Sequence, residues 1–292
     1  MAMTTSLKIA QYNIQGMSLG GLYTSILLKE LGILFDVGFA FREAASVPYL
    51  LLSHAHLDHI GALPAFIGMR GMIQGFQAPP LKIFCPQGTG SSIESILQNF
   101  EKIHQWPLRA ELIELSPNDC YHLGNQRYLK ALKSFHPVPS LAYLIYEQVD
   151  KLKEEFQHLS GVQIRDLKFS GVPITEPKYR YLIAYVTDTL IDVFKHHPEL
   201  CQVDLLICEC TFWDQKKGID IARAGCHIHL DELLPFCQER MHLDLMPKNM
   251  LLMHFSQLYQ PKEIEKIARE RLAPILGNRL HLLLPATNDW WC

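Results

Sequence analysis

Ser53-His54-Ala55-His56-Leu57-Asp58-His59 follows directly on the apolar run Tyr49-Leu50-Leu51-Leu52. The apolar run predicts a buried strand, and in an extended segment alternate side chains share a face, so His54 and His56 can reach one ion together. Asp58 and His59 lie past the turn and can reach a second ion. Three imidazoles and a carboxylate between positions 54 and 59 suit zinc or a similar divalent ion, and form half of a two-metal hydrolytic centre. The alternative is a surface histidine cluster, or polar residues satisfied at a strand end.

A dinuclear site needs more ligands than this, and they are expected at the ends of other apolar runs. Leu132-Lys133-Ser134-Phe135 leads into His136, Tyr181–Thr187 into Asp188, and Met250–Met253 into His254. Strand C-terminal ends are where layered α/β folds assemble sites, because their loops converge on one edge of the sheet. Any one of these residues alone reads as a hydrogen-bonded structural group. Together with the cluster at 54–59 they read as a ligand set.

The 292 residues carry a formal net charge of −3, so there is no overall attraction to polyanions; local basic patches would have to make any RNA contact. The length suits a single large domain spanning 1–292. No apolar stretch is long enough to cross a bilayer, Met1–Ala10 lacks the features of a signal peptide, and the expected compartment is the cytosol, with no membrane partner. Eight cysteines without a framework spacing predict reduced, buried thiols. Cys208-Glu209-Cys210 has no matching pair elsewhere and reads as a core feature.

Strands are predicted over Leu7–Ile14, Leu22–Leu28 and Ile33–Val37, and a helix over Ile60–Met72, begun near Gly61 and Pro64. Leu81–Cys85 reads as a strand and Ser91–His104 as a helix, followed by strands over Ala110–Leu115, Cys120–Leu123, Tyr128–Lys133 and Ala142–Tyr146. In the second half strands and helices alternate over Tyr181–Val186, Ile191–His196, Val203–Cys208, Leu230–Arg240, Asn249–Met253, Pro261–Arg271 and Leu280–Leu284. Residues 147–178 differ: charges alternate with Leu152, Phe156, Leu159, Ile164 and Leu167. They predict an inserted pair of short amphipathic helices, broken at Ser160-Gly161 and closed at Gly171-Val172-Pro173. Such an insert is either a solvated hairpin or an element that meets substrate or a second subunit.

Nearly the whole chain resembles the ribonuclease Z family, the tRNA 3′-processing endonucleases of the metallo-β-lactamase fold, in the short plant-type form. The likeness rests on Gly16–Gly21, Phe35-Asp36-Val37-Gly38, Ser53–Pro64, Phe135-His136-Pro137-Val138, Lys151–Thr175, Tyr185–Thr189, Glu209-Cys210-Thr211-Phe212, Ala224–Leu230 and His254-Phe255-Ser256. The histidine cluster alone indicates only the superfamily; Glu-x-Thr-Phe, the later His-Ile-His and the terminal His-Phe-Ser narrow it.

The resemblance implies an α/β, four-layer αββα sandwich of two mixed sheets between helices. It implies two zinc ions per chain, with manganese as a substitute: His54, His56 and His136 hold one, Asp58, His59 and His254 the other, and Asp188 bridges them. It gives Asp36 the role of orienting a ligating histidine and makes Glu209 with His227 the proton-donating pair. Asp58 doubles as acceptor of the nucleophile's proton. Ser256 is expected to contact a phosphate, and Lys151, Lys153, Arg165 and Lys168 to face RNA or a second subunit. The implied substrate is precursor tRNA, with no DNA partner, and the implied assembly is a homodimer. Two departures stand out: Thr187 precedes Asp188 and Cys226 precedes His227, where the family usually has glycine, which bears on positive φ and on the width of the phosphate pocket.

Two metals answer the two difficulties of phosphodiester hydrolysis, a poor nucleophile and a poor leaving group. His227, oriented by Glu209, is the expected acid for the leaving 3′-oxygen. The competing readings are a hydrolase of the same fold acting on a thioester, lactone, β-lactam or small phosphodiester, and a non-catalytic, metal-stabilised RNA-binding protein. The first does not require the Glu209–His227 pair, and the second would be expected to have lost ligands.

Overall fold

The computed structural model describes residues 4–75 and 77–285. One sheet runs β1 (Thr5–Ile9), β2 (Tyr12–Gly20), β3 (Tyr23–Leu28), β4 (Ile33–Phe35), β5 (Tyr49–Leu51), β6 (Leu81–Pro86) and β7 (Ala110–Leu115) in spatial order. The other contains β8 (Cys120–Gly124), β9 (Arg127–Lys133), β10 (Leu141–Leu152), β11 (Thr175–Val186), β12 (Leu205–Glu209), β13 (Met250–Met253) and β15 (Leu280–Leu282), whereas β14 (Phe255–Ser256) joins the first sheet beside β2. Apart from β14, which runs parallel to β2, each sheet is antiparallel in its first half and parallel in its second. The switch falls at β4 and β5 in one, and at β11 and β12 in the other.

Strands buried on both faces read as continuous apolar runs, and alternate residues then serve two different cores. Leu51 of β5 and Ile207 of β12 meet between the sheets with Phe35, Tyr143 and Tyr185. Leu50 and Leu52 face outward with Phe66, Ile67 and Ile93 of the helices α2 (Leu63–Gln74) and α3 (Gly90–His104). Leu206 and Cys208 turn the other way, against α7 (Leu230–His242), α8 (Pro261–Arg271) and α9 (Ala273–Leu276), through Leu233, Cys237, Ile264 and Leu276. The layers are therefore helix, sheet, sheet, helix, as the resemblance implied.

The expected helix over 60–72 is interrupted. A single turn, α1 (Leu57–Ile60), ends at Gly61, and α2 begins afresh with Pro64 in its first turn, where a missing N–H costs nothing. The expected strand Leu7–Ile14 is a hairpin whose turn places Ala10 at φ 51°. No Asn-Gly signal marks that turn, so the alternation of apolar residues ran on across it. Three further short helices, α4 (Gly161–Phe169), α5 (Val193–His196) and α6 (Ile219–Ala224), complete the set among the described residues.

Of the two amphipathic helices expected over residues 147–178, the second is present as α4, which begins at Gly161 after the break at Ser160, and the first is replaced by strand and a single 3₁₀ turn, Glu154–Phe156. β10 continues to Leu152 and β11 starts at Thr175, and the two pair from Tyr143↔Tyr185 out to Leu152↔Thr175. The segment is a projecting two-stranded arm with α4 at its tip, opened by a capping box in which Ser160 and Gln163 satisfy each other's backbone N–H. Leu152, Phe156 and Leu159 are spaced like a helix face, but cross-strand pairing, which is not local, draws Leu152 into the ladder, and only a single 3₁₀ turn remains at Phe156.

Candidate metal centre

The ends of β4, β5, β9, β11, β12 and β13 open onto one edge, and the residues just past them form the site. His54, His56, His136 and Asp188 make one group whose ligand atoms lie within 4.8 Å of one another; Asp58, His59 and His254 make a second. All seven expected ligands are thus brought together. Asp188 stands between the groups, with Oδ2 at 3.5 Å from His54 Nε2 and Oδ1 at 3.2 Å from His254 Nε2 and 3.5 Å from His59 Nε2.

The second group can be tested against a metal's geometry. Tetrahedral zinc with ligands at about 2.0–2.1 Å requires ligand atoms roughly 3.3 Å apart. His59 Nε2 lies 3.2 Å from His254 Nε2, and each lies 3.5 Å from Asp58 Oδ2. Asp188 Oδ1 keeps the same spacing from the two histidines, 3.2 Å from His254 Nε2 and 3.5 Å from His59 Nε2. In the first group His54 Nε2 is buried without a hydrogen-bond partner, an arrangement that normally costs about 1–3 kcal/mol and that a metal ion would relieve. The residues fit a divalent ion in both positions.

The surrounding contacts fix which nitrogen each histidine presents. Asp36, fully buried, accepts from Ser53 N at 2.7 Å, Ser53 Oγ at 2.8 Å and the Tyr185 hydroxyl at 2.6 Å, and its Oδ2 lies 2.8 Å from His59 Nδ1. That contact turns His59 Nε2 toward the cluster. Thr211 does the same for His254, with Oγ1 at 3.1 Å from Nδ1, while donating to Glu209 Oε2 at 2.5 Å. Gly21 N–H donates to Asp58 Oδ2 at 2.8 Å. Gly38 lets the β4 loop pass against this turn, since a Cβ there would stand 1.9 Å from the Asp58 carbonyl oxygen.

Burial first, and then the neighbouring His59, push His54 down to about 2; burial likewise takes His136 to about 4, so both imidazoles are neutral and suited to ligation. Asp58 is driven upward by burial, but hydrogen bonds from His254 and His59 outweigh it and hold the carboxyl well below its ordinary range. Burial opposes charge on His227 too. Glu209 overrides it and raises the imidazole to about 9. Nδ1 of His227 lies 3.3 Å from Glu209 Oε2, and Glu209 Oε1 accepts from Thr189 N at 2.7 Å. His227 thus faces the cluster from the His254 side of Asp188.

Four residues of this edge hold left-handed backbone: Asp36 at φ 52°, Asp188 at 43°, Cys226 at 56° and His254 at 59°. For residues other than glycine that conformation costs roughly 1–2 kcal/mol, and its concentration here is characteristic of a functional site. The departures seen in the sequence resolve differently. Thr187 is not left-handed; Asp188 itself is, and Thr187 Oγ1 donates to Asp188 Oδ1 at 2.9 Å, so the β-branched residue steadies the carboxylate. Cys226 does carry the strain that a glycine would avoid.

Other expected residues lie apart from the cluster. Ser256 Oγ accepts from Leu258 N at 3.3 Å, which leaves its O–H to donate. Lys151, Lys153, Arg165 and Lys168 lie on the arm, where Lys153 meets Glu155 at 4.0 Å and Arg165 meets Asp166 at 3.5 Å. His229 caps α7, accepting from Asp231 N at 3.0 Å. Tyr185 and Thr211 were not singled out from sequence; the Glu209-x-Thr211 spacing, two residues at a strand end, is the signal that marks the latter.

A two-sheet sandwich carrying its His and Asp ligands on one edge is the architecture of the metallo-β-lactamase superfamily, and the model for the beta-lactamase superfamily domain matches residues 33–255. The chain is 33% identical over 280 residues to tRNase Z TRZ1 of Arabidopsis thaliana, covering 95% of this chain and 97% of the relative. It is 32% identical over 261 residues to the chloroplastic tRNase Z TRZ2 of the same plant, covering 89% and 72%. The crystal structure of the short form of human tRNase Z superposes with a TM-score of 0.58 at 20% identity, over 83% of this chain and 92% of that one. The chain belongs to the tRNase Z family.

Proposed function

We propose that the protein is an endonuclease that removes 3′ trailers from precursor tRNA, with two zinc ions per chain. The observation that carries this reading is the buried Glu209 joined to His227 beside a complete set of seven ligand residues. Zinc bound there would neutralise the phosphodiester and supply a nucleophile near neutral pH. His54, His56, His136 and Asp188 would hold one ion, and Asp58, His59, His254 and Asp188 the other, with manganese as a substitute. Asp58 keeps one oxygen toward the cluster and offers the other to the proton of the attacking water. Glu209 aligns His227, which donates its proton to the departing 3′-oxygen, so the tRNA body would end in a 3′-hydroxyl and the trailer would begin with a phosphate.

The arm and a second copy complete the proposal. Lys151, Lys153, Arg165 and Lys168 would grip RNA phosphates away from the cut, consistent with an arm whose α4 has no buried residue. Homodimerisation is supported by an apolar face on α2 and α3, where Met72 is 72% and Ile103 81% exposed around a groove of about 530 Å³. Among the described residues no helix is long and apolar enough to cross a membrane. The free buried thiols at Cys85, Cys201, Cys208, Cys210 and Cys237 support the cytosol as the compartment, and fractionation against the organelle of the chloroplastic relative would test it.

The test is incubation of metal-loaded protein with labelled precursor tRNA carrying a 3′ trailer, beside bis(p-nitrophenyl) phosphate, with both cut ends mapped. Cleavage at the trailer junction with the stated end groups is expected. Hydrolysis of the ester alone would reassign the site to small phosphodiesters.

A further inference from the structure

A cleft of about 560 Å³ runs away from His136 between the two sheets, where the ends of β6 and β7 face the loop from β9 to β10. Its volume is in the range that accommodates one small ligand, and an RNA helix is far too large to enter it. Its lining is mixed. Pro117, Val138 and Pro139 give it apolar surface, and Lys133 and Gln87 bring polar groups to it. Lys133 has no carboxylate partner among the described residues; its ammonium sits 5.5 Å from the centroid of the Phe135 ring. The Gln87 side chain is held through Oε1, which accepts from Ser116 Oγ, and that leaves its amide N–H groups to donate.

The cleft's position relative to the acid decides its occupant. His227 stands on the His254 side of Asp188 and His136 on the His54–His56 side. Proton donation from His227 places the departing 3′-oxygen, and the tRNA body attached to it, on the His227 side. The nucleotide that retains the phosphate must then leave the cluster in another direction, and the cleft beside His136 is the opening there. We propose that this cleft binds the first, unpaired nucleotide of the trailer, with Lys133 and Gln87 contacting its phosphates and Pro117, Val138 and Pro139 packing on its base.

This inference rests on the nuclease reading, and its test can fail separately. Lys133→Ala and Val138→Ser are compared with the native protein on precursor tRNA, on the same precursor lacking the base of the first trailer nucleotide, and on bis(p-nitrophenyl) phosphate. Lys133→Ala is expected to lower kcat/KM on the precursor about three- to tenfold, the scale of one exposed charge interaction, and to leave ester hydrolysis unchanged. Removal of the base should cost the native protein severalfold and Val138→Ser much less, because the variant no longer packs against it. A third measurement does not require tRNA cleavage at all. A 5′-phosphorylated dinucleotide should inhibit ester hydrolysis competitively and more weakly in Lys133→Ala, by a similar factor. If that inhibition is the same in both proteins, or if the variants lose ester and RNA activity equally, the cleft does not hold the trailer.

Discussion

The metal-centre edge and the arm share β11, whose first residues pair with β10 in the arm and whose far end delivers Asp188 to the edge, yet they are opposite kinds of structure. At the edge every expected ligand is brought into the cluster, buried hydrogen bonds turn particular nitrogens inward, and several residues are held in left-handed backbone. On the arm the charges pair with their neighbours, as Lys178 does with Glu176 at 2.6 Å, and Phe169 is 84% exposed. The edge is shaped before any substrate arrives, because the strands that carry it are locked between three cores. The arm has no such constraint, and only a binding partner could give its surface a fixed environment.

The largest expected effect falls on the edge. Asp188→Ala removes the carboxylate shared by both ligand groups, and should lower turnover on RNA and on the nitrophenyl ester alike by at least about a thousandfold, the rate equivalent of several kcal/mol. Selective loss on one substrate would break the idea that both use the whole cluster. His227→Ala is expected to cost about 10²–10⁴ on RNA with metal content intact, Glu209→Ala somewhat less, and both much less on the ester, whose nitrophenolate leaves without help. Equal losses on the two substrates would remove His227 from the role of acid.

On the arm, replacing Lys151, Lys153, Arg165 and Lys168 with alanine should raise the KM for precursor tRNA and spare the ester. The salt dependence should flatten by roughly one unit of slope for every phosphate that is no longer neutralised. An unchanged slope in a folded variant would leave the arm as a solvated hairpin and place the grip elsewhere. The smallest effect is a gain. Cys226→Gly removes the cost of a left-handed cysteine and should stabilise the protein by about 1 kcal/mol, read from a denaturant midpoint. A decrease instead would mean that the thiol's own packing outweighs the strain.

The same contrast explains what was legible in the sequence. The cluster from His54 to His59 is local, and each remaining ligand follows an apolar run, so strand ends could be matched to ligands without knowing the sheet order. Asp36 was reached only through the family resemblance, because its partners His59 and Tyr185 lie 23 and 149 positions away. Thr211 was missed for a similar reason: its hydroxyl acts on His254, which β13 delivers from much later in the chain. The first half of the arm misled because Leu152, Phe156 and Leu159 imitate a helical face, whereas register with β11, set across more than twenty residues, holds the chain extended as far as Leu152 and leaves Phe156 in a single 3₁₀ turn. Ala10, too, turns the chain in a conformation that alanine does not advertise.

The central claim, that this edge is a two-ion site made of two ligand groups sharing Asp188, is tested most directly by counting metal ions per chain in the zinc-loaded protein and in His59→Ala. Two ions are expected in the native chain, and one in the variant, whose first group keeps His54, His56, His136 and Asp188. A native protein with full activity and only one ion, or none, would contradict the account.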